Sequence, residues 1–362
     1  MNVSQALCWV FAVAIASQLI LTPQAGAQKP TFTVGWSVYA GWNPYFYMMK
    51  SGVLRKWADK YGVDIRVQRF DYAASLDSFV AKNIDACTMT NMEALDMPAA
   101  AGVDTTVVLI GDYSNGNDAV LTRNGVDFNN IAGHRVMLVQ KTVSEYLLER
   151  GMTISGHQAQ LPTLKLQNTS DSDIAPAFIN NAGNDVVVTW KPMVSQIEDG
   201  KGVRSIFNSS QIPGEILDLL VIRTEVLNRP DGSGQKFAKA MAGAWYETMH
   251  NLMAGGAAQQ QVIQMSAAAS GDTVESYRNQ LKTTQLFTTP QSAFGFATGP
   301  TMEDKMDLVR QFCFAHGLLG RNIQSINDVG IVYPNGRVQG RKDKVKLRFD
   351  AEYMKAAAEG AL

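Results

Sequence analysis

The sequence predicts an α/β protein of two lobes, each with a central sheet, joined by two strands and separated by a ligand cleft. The chain has 362 residues, of which 46% are hydrophobic and 18% charged, which excludes a disordered protein and suffices for about two domains. Segments with the strand period alternate with segments of helical period, which is typical of mostly parallel sheets covered by helices. One pattern, a helix followed by a turn with Asn and Asp and then a strand, occurs twice about 100 residues apart. Two lobes of similar plan account for this repetition.

The first group of predicted elements alternates between strand and helix. β-branched and aromatic residues indicate the strands, and apolar stripes at helical spacing indicate the helices. Strands are predicted at residues 31–38, 64–70, 85–90 and 107–110, and helices at residues 45–61, 73–81 and 91–101. The fourth strand is expected to end at Gly111 and Asp112, which would place Asp112 in a loop.

The second group repeats this plan and is followed by a helical region. Strands are predicted at residues 135–139, 164–167, 185–189 and 217–222, and helices at residues 143–150 and 174–180, the former with Thr142 as N-cap. Beyond Arg223 the pattern predicts helices at residues 234–253, 257–268, 273–283 and 302–318, and a strand at residues 344–349. We therefore expect residues 31–116 and 223–362 to form lobe 1 and residues 117–222 to form lobe 2.

Residues 1–27 have the features of a secretory signal peptide. They contain no Lys, Arg, Asp or Glu, and their apolar stretch at residues 6–21 is too short to span a membrane. Small residues at positions 25–27 suit cleavage after Ala27. An N-terminal anchor or a core helix is the alternative. Cys87 and Cys313 would remain after cleavage, either paired or as buried thiols.

Several classes of chemistry lack support in the sequence. The net charge of −1 gives no long-range attraction for nucleic acid or anionic lipid. None of the four histidines has a His or Cys at ligand spacing, and no nucleophile elbow, phosphate-binding loop or dinucleotide fingerprint is present. We therefore expect no metal, no cofactor, no nucleic-acid partner and no catalysis. A hydrolase or transferase on the same fold is the alternative of another class.

The most distinctive local feature is a cluster of aromatic residues behind the first strand. Six of the twelve residues at positions 36–47 are aromatic. Ligands of open parallel sheets bind beyond the carboxyl ends of the strands. We therefore expect Trp36, Tyr39 and Trp42 to form an aromatic wall of the cleft.

Carboxylates follow the predicted strands of the same lobe. The candidate acceptors are Asp71, Glu93, Asp112 and Asp218, although each could instead cap a helix or a turn. Aromatic faces attract cations, and carboxylates match planar N–H donors. The combination predicts a small cationic or multi-donor ligand. The remaining candidates are Thr90 and Asn91, which would orient the ligand, and Trp190 and the helix start at Thr142, which would close the cleft from lobe 2.

A small oxyanion is the alternative ligand. Such a site would use helix N-termini and Arg or Lys side chains. The helix that follows Thr142 could provide one, with Lys141 and Lys191 near it in sequence. We find no Arg or Lys in the strand-end loops of lobe 1, which favours the cation.

The ordered set of segments resembles the nitrate, taurine and sulfonate family of periplasmic substrate-binding proteins of ABC transporters. The resemblance covers residues 31–286 and includes DAVL at 118–121, TVSEYLL at 142–148 and VTWKP at 188–192. It implies the bilobal periplasmic-binding-protein fold, a periplasmic location, and delivery of a small molecule to a permease in the inner membrane. We expect the receptor to be a monomer.

Two further segments are similar to one branch of that family. LRFDAEYMK at 347–355, together with the opening at residues 36–42, resembles the branch associated with urea carboxylase. This resemblance implies guanidinium or urea as the ligand. Guanidinium ranks first because it presents N–H donors on every edge and no acceptor, whereas urea also needs a donor for its oxygen. A receptor for nitrate or an alkyl sulfonate is the alternative, but the acid-rich site loops depart from those members.

Overall fold

The computed structural model describes residues 28–362, so the predicted signal peptide at residues 1–27 lies outside the described residues. The first stretch contains β1 (Thr31–Trp36), α1 (Pro44–Lys50), α2 (Val53–Tyr61), β2 (Asp64–Arg69), α3 (Tyr72–Val80), β3 (Ala86–Thr90), α4 (Asn91–Ala100) and β4 (Thr105–Ser114). The middle stretch contains β5 (Asp118–Thr122), β6 (Arg135–Leu138), α5 (Val143–Ile154), β7 (Lys165–Asn168), α6 (Asp171–Ile179), β8 (Val186–Trp190), α7 (Met193–Glu198) and β9 (Arg204–Asn208). The last stretch contains β10 (Leu217–Arg223), α8 (Thr224–Leu227), α9 (Ser233–Met253), α10 (Gly256–Ser270), α11 (Val274–Leu281), β11 (Thr284–Leu286), α12 (Pro290–Ala297), α13 (Thr301–Ala315), β12 (Gly330–Val332), β13 (Val338–Gln339), β14 (Val345–Phe349) and α14 (Glu352–Ala358).

These elements form two sheets, one in each lobe. The larger sheet has the order β13-β12-β14-β4-β10-β3-β1-β2, with β11 paired to β4. The smaller sheet has the order β7-β6-β8-β5-β9. The chain therefore passes from the larger sheet to the smaller one between β4 and β5, and returns between β9 and β10. This is the predicted α/β fold of two lobes joined by two crossings.

The sheets are mixed, whereas the sequence predicted mostly parallel ones. Strand β10 is antiparallel to both β3 and β4 in the larger sheet, and β5 is antiparallel to both β8 and β9 in the smaller one. The cause is the double crossing, because a strand that carries the chain back runs opposite to the strand that carried it out. The remaining central pairs, such as β1 with β2 and β6 with β8, are parallel.

Two element boundaries differ from the prediction in ways that affect the site. The helix predicted at residues 45–61 is divided at Gly52, whose φ of 87° is accessible to glycine and interrupts the helical backbone. Strand β4 continues through Gly111 and Asp112 to Ser114 because it pairs with β10 on one side and β11 on the other. Asp112 is thus a strand residue. Thr142 is the N-cap of α5, as predicted, and accepts a hydrogen bond from the Ser144 amide.

Both cysteines among the described residues, Cys87 and Cys313, are buried free thiols. No described helix has the combination of length and apolar character needed to cross a membrane.

Candidate functional site

A buried cavity lies where the two lobes meet. The space inside it that a water molecule could occupy is only about 10 Å³, room for about one water, so a larger ligand fits only when the lining side chains or the lobes move apart. Every lining residue is at most 5% exposed. The lining consists of Tyr39, Trp42, Tyr72, Thr90, Asp118, Val143, Trp190, Ile216 and Asp218. Most of these residues stand at the first or last position of a helix or strand, which is where a two-lobed α/β fold presents side chains to its cleft.

Four aromatic rings form a continuous wall that reaches from one lobe to the other. Tyr39 and Trp42 are in edge contact at 5.2 Å between ring centroids, Trp42 and Tyr72 lie at 5.5 Å, and Tyr72 meets Trp190 edge-on at 5.5 Å. The Trp190 indole Nε1 also donates a hydrogen bond of 3.0 Å to the Val38 carbonyl oxygen across the cleft. The wall therefore offers ring faces to a ligand and holds the lobes together.

Three buried aspartates meet at the crossing between the lobes. Asp112 on β4 and Asp218 on β10 are directly opposite in the register of the sheet, and Asp118 begins β5. The Tyr39 hydroxyl donates to Asp112 Oδ1 at 3.0 Å, and the Ser114 hydroxyl donates to Asp118 Oδ2 at 2.5 Å. Two of the three aspartates, Asp118 and Asp218, line the cavity itself.

Burial makes these carboxyls hard to ionise. It raises the pKa of Asp112 and of Asp118 to about 7. Burial and the neighbouring Asp112 raise the pKa of Asp218 well above its ordinary range. The Oδ2 atoms of Asp112 and Asp218 have no donor among the described residues when both groups are ionised. A positively charged ligand in the cavity would stabilise the ionised form of both carboxyls.

Glu93 forms a second buried acidic centre, directly behind the cavity wall. Its Oε2 accepts hydrogen bonds from the Tyr72 hydroxyl at 2.9 Å and from the Thr90 hydroxyl, and its Oε1 accepts from the Val143 amide at 2.7 Å. Burial raises the pKa of Glu93, but these three donors oppose the increase by stabilising the carboxylate. Because Val143 begins α5 of the smaller lobe, Glu93 joins the two lobes.

A second carboxylate also joins the lobes. Asp171, at the start of α6, accepts a hydrogen bond from the Tyr72 amide at 3.2 Å to Oδ1 and 3.3 Å to Oδ2. Tyr72 is thus held from both sides, by Glu93 through its hydroxyl and by Asp171 through its main chain. This fixes the ring at the centre of the aromatic wall.

Positive charge is missing from the cavity lining in the described chain, since none of the lining residues is Lys or Arg. Lys191 follows Trp190, but its Nζ donates to the Thr283 hydroxyl at 2.9 Å, and burial lowers the pKa of its ammonium. No group of three or more potential metal ligands occurs among residues 28–362. Asp118 and Asp218 therefore face the cavity, and its lining residues provide no fixed positive charge to balance them.

Five of the residues expected from the sequence line this cavity: Tyr39, Trp42, Thr90, Trp190 and Asp218. Glu93 and Asp112 do not line the cavity, but they accept hydrogen bonds from the lining residues Tyr72 and Tyr39 respectively. Thr142 stands beside the lining residue Val143 and caps its helix.

Three expected residues are placed elsewhere. Trp36 is buried at the end of β1 and is not a lining residue. The Asn91 amide donates to the Glu215 carbonyl and accepts from the Leu217 amide, so its polar atoms serve the main chain. Asp71 is exposed and accepts a hydrogen bond from Ser172 at 3.1 Å.

Four lining residues were not predicted from the sequence: Tyr72, Asp118, Val143 and Ile216. A signal existed for two of them. Tyr72 follows the acid that was chosen in its place, and Asp118 opens an apolar segment directly after the chain leaves the larger sheet. Val143 and Ile216 carry no polar group, and only the three-dimensional arrangement identifies them.

Comparison with known proteins places the fold. No family model and no curated protein sequence matches this chain. Among solved structures, the periplasmic aliphatic sulphonate binding protein SsuA of Escherichia coli aligns with a TM-score of 0.64 at 14% identity, covering 81% of this chain and 95% of its own. The alkanesulfonate-binding protein SsuA of Xanthomonas axonopodis pv. citri, bound to MOPS, also gives 0.64 at 14% identity, with coverages of 82% and 96%. A Candida albicans gene product with the generic periplasmic binding protein fold gives 0.57 at 13% identity, with coverages of 80% and 93%.

These likenesses establish that the chain has the periplasmic-binding-protein fold. This confirms the predicted fold class of two α/β lobes with a cleft between them. The two SsuA structures are binding proteins by description, and at 14% identity the likeness to them extends to the fold alone.

Proposed function

We propose that the protein is the periplasmic solute receptor of an ABC importer and that it captures guanidinium. In this proposal residues 1–27 are removed on export, and lobe 1 (residues 31–116 and 223–362) and lobe 2 (residues 117–222) close on the ligand. The receptor acts as a monomer and delivers its ligand to a permease in the inner membrane. The fold and its sulfonate-binding neighbours support the receptor class.

The observation that carries the choice of ligand is the uncompensated acidity of the cavity. Asp118 and Asp218 line it, Asp112 stands behind, and the lining contains no Lys or Arg. Guanidinium is planar and charged at neutral pH, and it can donate two parallel N–H hydrogen bonds to one carboxylate. The rings of Trp42, Tyr72 and Trp190 supply faces on which a planar cation is attracted.

An oxyanion fits this cavity poorly. A nitrate or sulfonate would place its negative charge beside Asp118 and Asp218, and a buried charge without a partner is expensive. Of the helix N-termini at the cavity, that of α5 already uses its Val143 amide on Glu93, and that of α3 uses its Tyr72 amide on Asp171. The binding preference of the two SsuA proteins is therefore not transferred to this chain.

Urea is the second candidate, and one observation favours it. The indole Nε1 of Trp42, which lines the cavity, is buried without an acceptor among the described residues. The oxygen of urea would satisfy this donor, whereas guanidinium has no acceptor to offer. Protonated aspartates could donate to the same oxygen.

Isothermal titration calorimetry with guanidinium, urea, nitrate and taurine tests the proposal. Guanidinium is expected to bind most tightly and urea more weakly, with no heat of binding from nitrate or taurine. Binding of taurine but not of guanidinium would overturn it. Recovery of guanidinium unchanged after prolonged incubation distinguishes a receptor from a hydrolase or transferase on this fold.

A further inference from the structure

The N-terminus of helix α5 is oriented toward the cleft and is occupied by a side chain of the opposite lobe. Val143 and Ser144 are the first two residues of this twelve-residue helix. The Val143 amide donates to Glu93 Oε1 at 2.7 Å, and Glu93 belongs to α4 of the larger sheet's lobe. The Ser144 hydroxyl in the same turn is buried without a hydrogen-bond partner among the described residues.

A helix N-terminus attracts anions because its first amides lack partners within the helix and the aligned peptide dipoles place positive potential there. In this chain all three groups that donate to Glu93 belong to the cavity lining, namely Tyr72, Thr90 and Val143. The Glu93 carboxylate therefore uses the hydrogen-bond donors that an oxyanion bound in the cleft would need. Removing it would leave those donors facing space continuous with the cavity.

We propose that Glu93 is a built-in anion that occupies the α5 N-terminus and thereby excludes oxyanions from the cleft. The inference rests on the proposed function, since it concerns the selectivity of the same cavity. Glu93 acts through the donors that it occupies and does not itself line the cavity, so it is a positioning residue.

Replacement of Glu93 by alanine tests this role through a gain of binding. Methanesulfonate is titrated into the wild type and Glu93→Ala at about pH 6, where Asp112 and Asp118 are mostly protonated and repel an anion least. We expect no measurable binding to the wild type. For Glu93→Ala we expect a Kd at least about tenfold lower than the weakest Kd that the titration can detect. This is the effect of regaining one charge-assisted hydrogen bond.

Two further variants serve as controls. Glu145→Ala removes a carboxylate from the same first turn, but Glu145 accepts from the Lys141 amide and has no bond to the cavity lining, so it is expected to gain nothing. Glu93→Ser keeps a hydroxyl beside Thr90 while still vacating the helix end. It is expected to gain methanesulfonate binding as well, and it replaces the alanine variant should that one not fold.

The outcomes separate this inference from the choice of ligand. Gain of methanesulfonate binding in a Glu93 variant supports the inference, even if the wild type does not bind guanidinium. A wild type that binds guanidinium, with folded Glu93 variants that bind no methanesulfonate, overturns the inference and leaves the proposed function intact. Methanesulfonate binding by the wild type, or failure of both Glu93 variants to fold, would also overturn it.

Discussion

Proton release on binding is the most specific consequence of the cavity's electrostatics. Free aspartic acid side chains have a pKa of about 3.9, whereas burial raises the pKa of Asp112 and Asp118 to about 7. A cation in the cavity stabilises the carboxylates and lowers both pKa values, so the protein releases protons as guanidinium binds. Affinity should therefore increase with pH through about pH 7 and level off above it.

The size of the pH effect on the Kd depends on how many of the two carboxyls must lose a proton. If one must lose its proton, the Kd for guanidinium at about pH 6 is about tenfold higher than at about pH 8. If both must do so, the ratio approaches about 100. Guanidinium itself keeps its charge over this range, so the dependence reports the protein.

Calorimetry in two buffers of different ionisation enthalpy measures the number of protons released. We expect about one half to one near pH 7 for guanidinium, because each carboxyl is only half protonated there, and none for neutral urea. A Kd that is constant between these pH values, with no proton released, would refute the claim that Asp112 and Asp118 respond to the ligand.

Three substitutions probe other parts of the site. Asp218→Asn should weaken guanidinium binding by about 10- to 150-fold, the effect of losing a hydrogen bond to a charged group, whereas the exposed Asp71→Asn should leave Kd within about twofold. Equal effects of the two would remove Asp218 from the site. Trp190→Phe keeps a ring but loses the bond across the cleft, and about two- to tenfold weaker binding is expected by calorimetry. Gly41→Ala should lower both the melting temperature and the affinity, because its Cβ would lie 2.1 Å from Asp112 Oδ2; unchanged values would contradict the packing of this loop.

The sequence predicted the aromatic and acidic character of the candidate site but not which residues line the cavity. Tyr39 and Trp42 were found because six aromatic residues crowd the end of one strand, a local feature. Asp112 was expected in a loop, because a Gly followed by an Asp is a frequent strand end. Pairing with β10 and β11 extends the strand through it and sets it opposite Asp218, and neither partner is near it in sequence.

The interlobe contacts explain the remaining differences. The choice between Asp71 and Tyr72 depends on which of them is buried at the cavity, since both form hydrogen bonds with α6 of the other lobe. The Tyr72 main chain is held there by Asp171 and its hydroxyl by Glu93, residues that are 99 and 21 positions away. Local periodicity contains no information on such pairs. It does predict the lobes, because each strand and helix that builds them is a continuous segment.

The position of guanidinium in a crystal structure of the complex tests the central claim most directly. The account predicts the cation between the rings of Trp42, Tyr72 and Trp190, with its N–H groups on the carboxylates of Asp118 and Asp218. A structure with the cation outside this cavity, or with a sulfonate seated there while Glu93 still holds the α5 N-terminus, would contradict it.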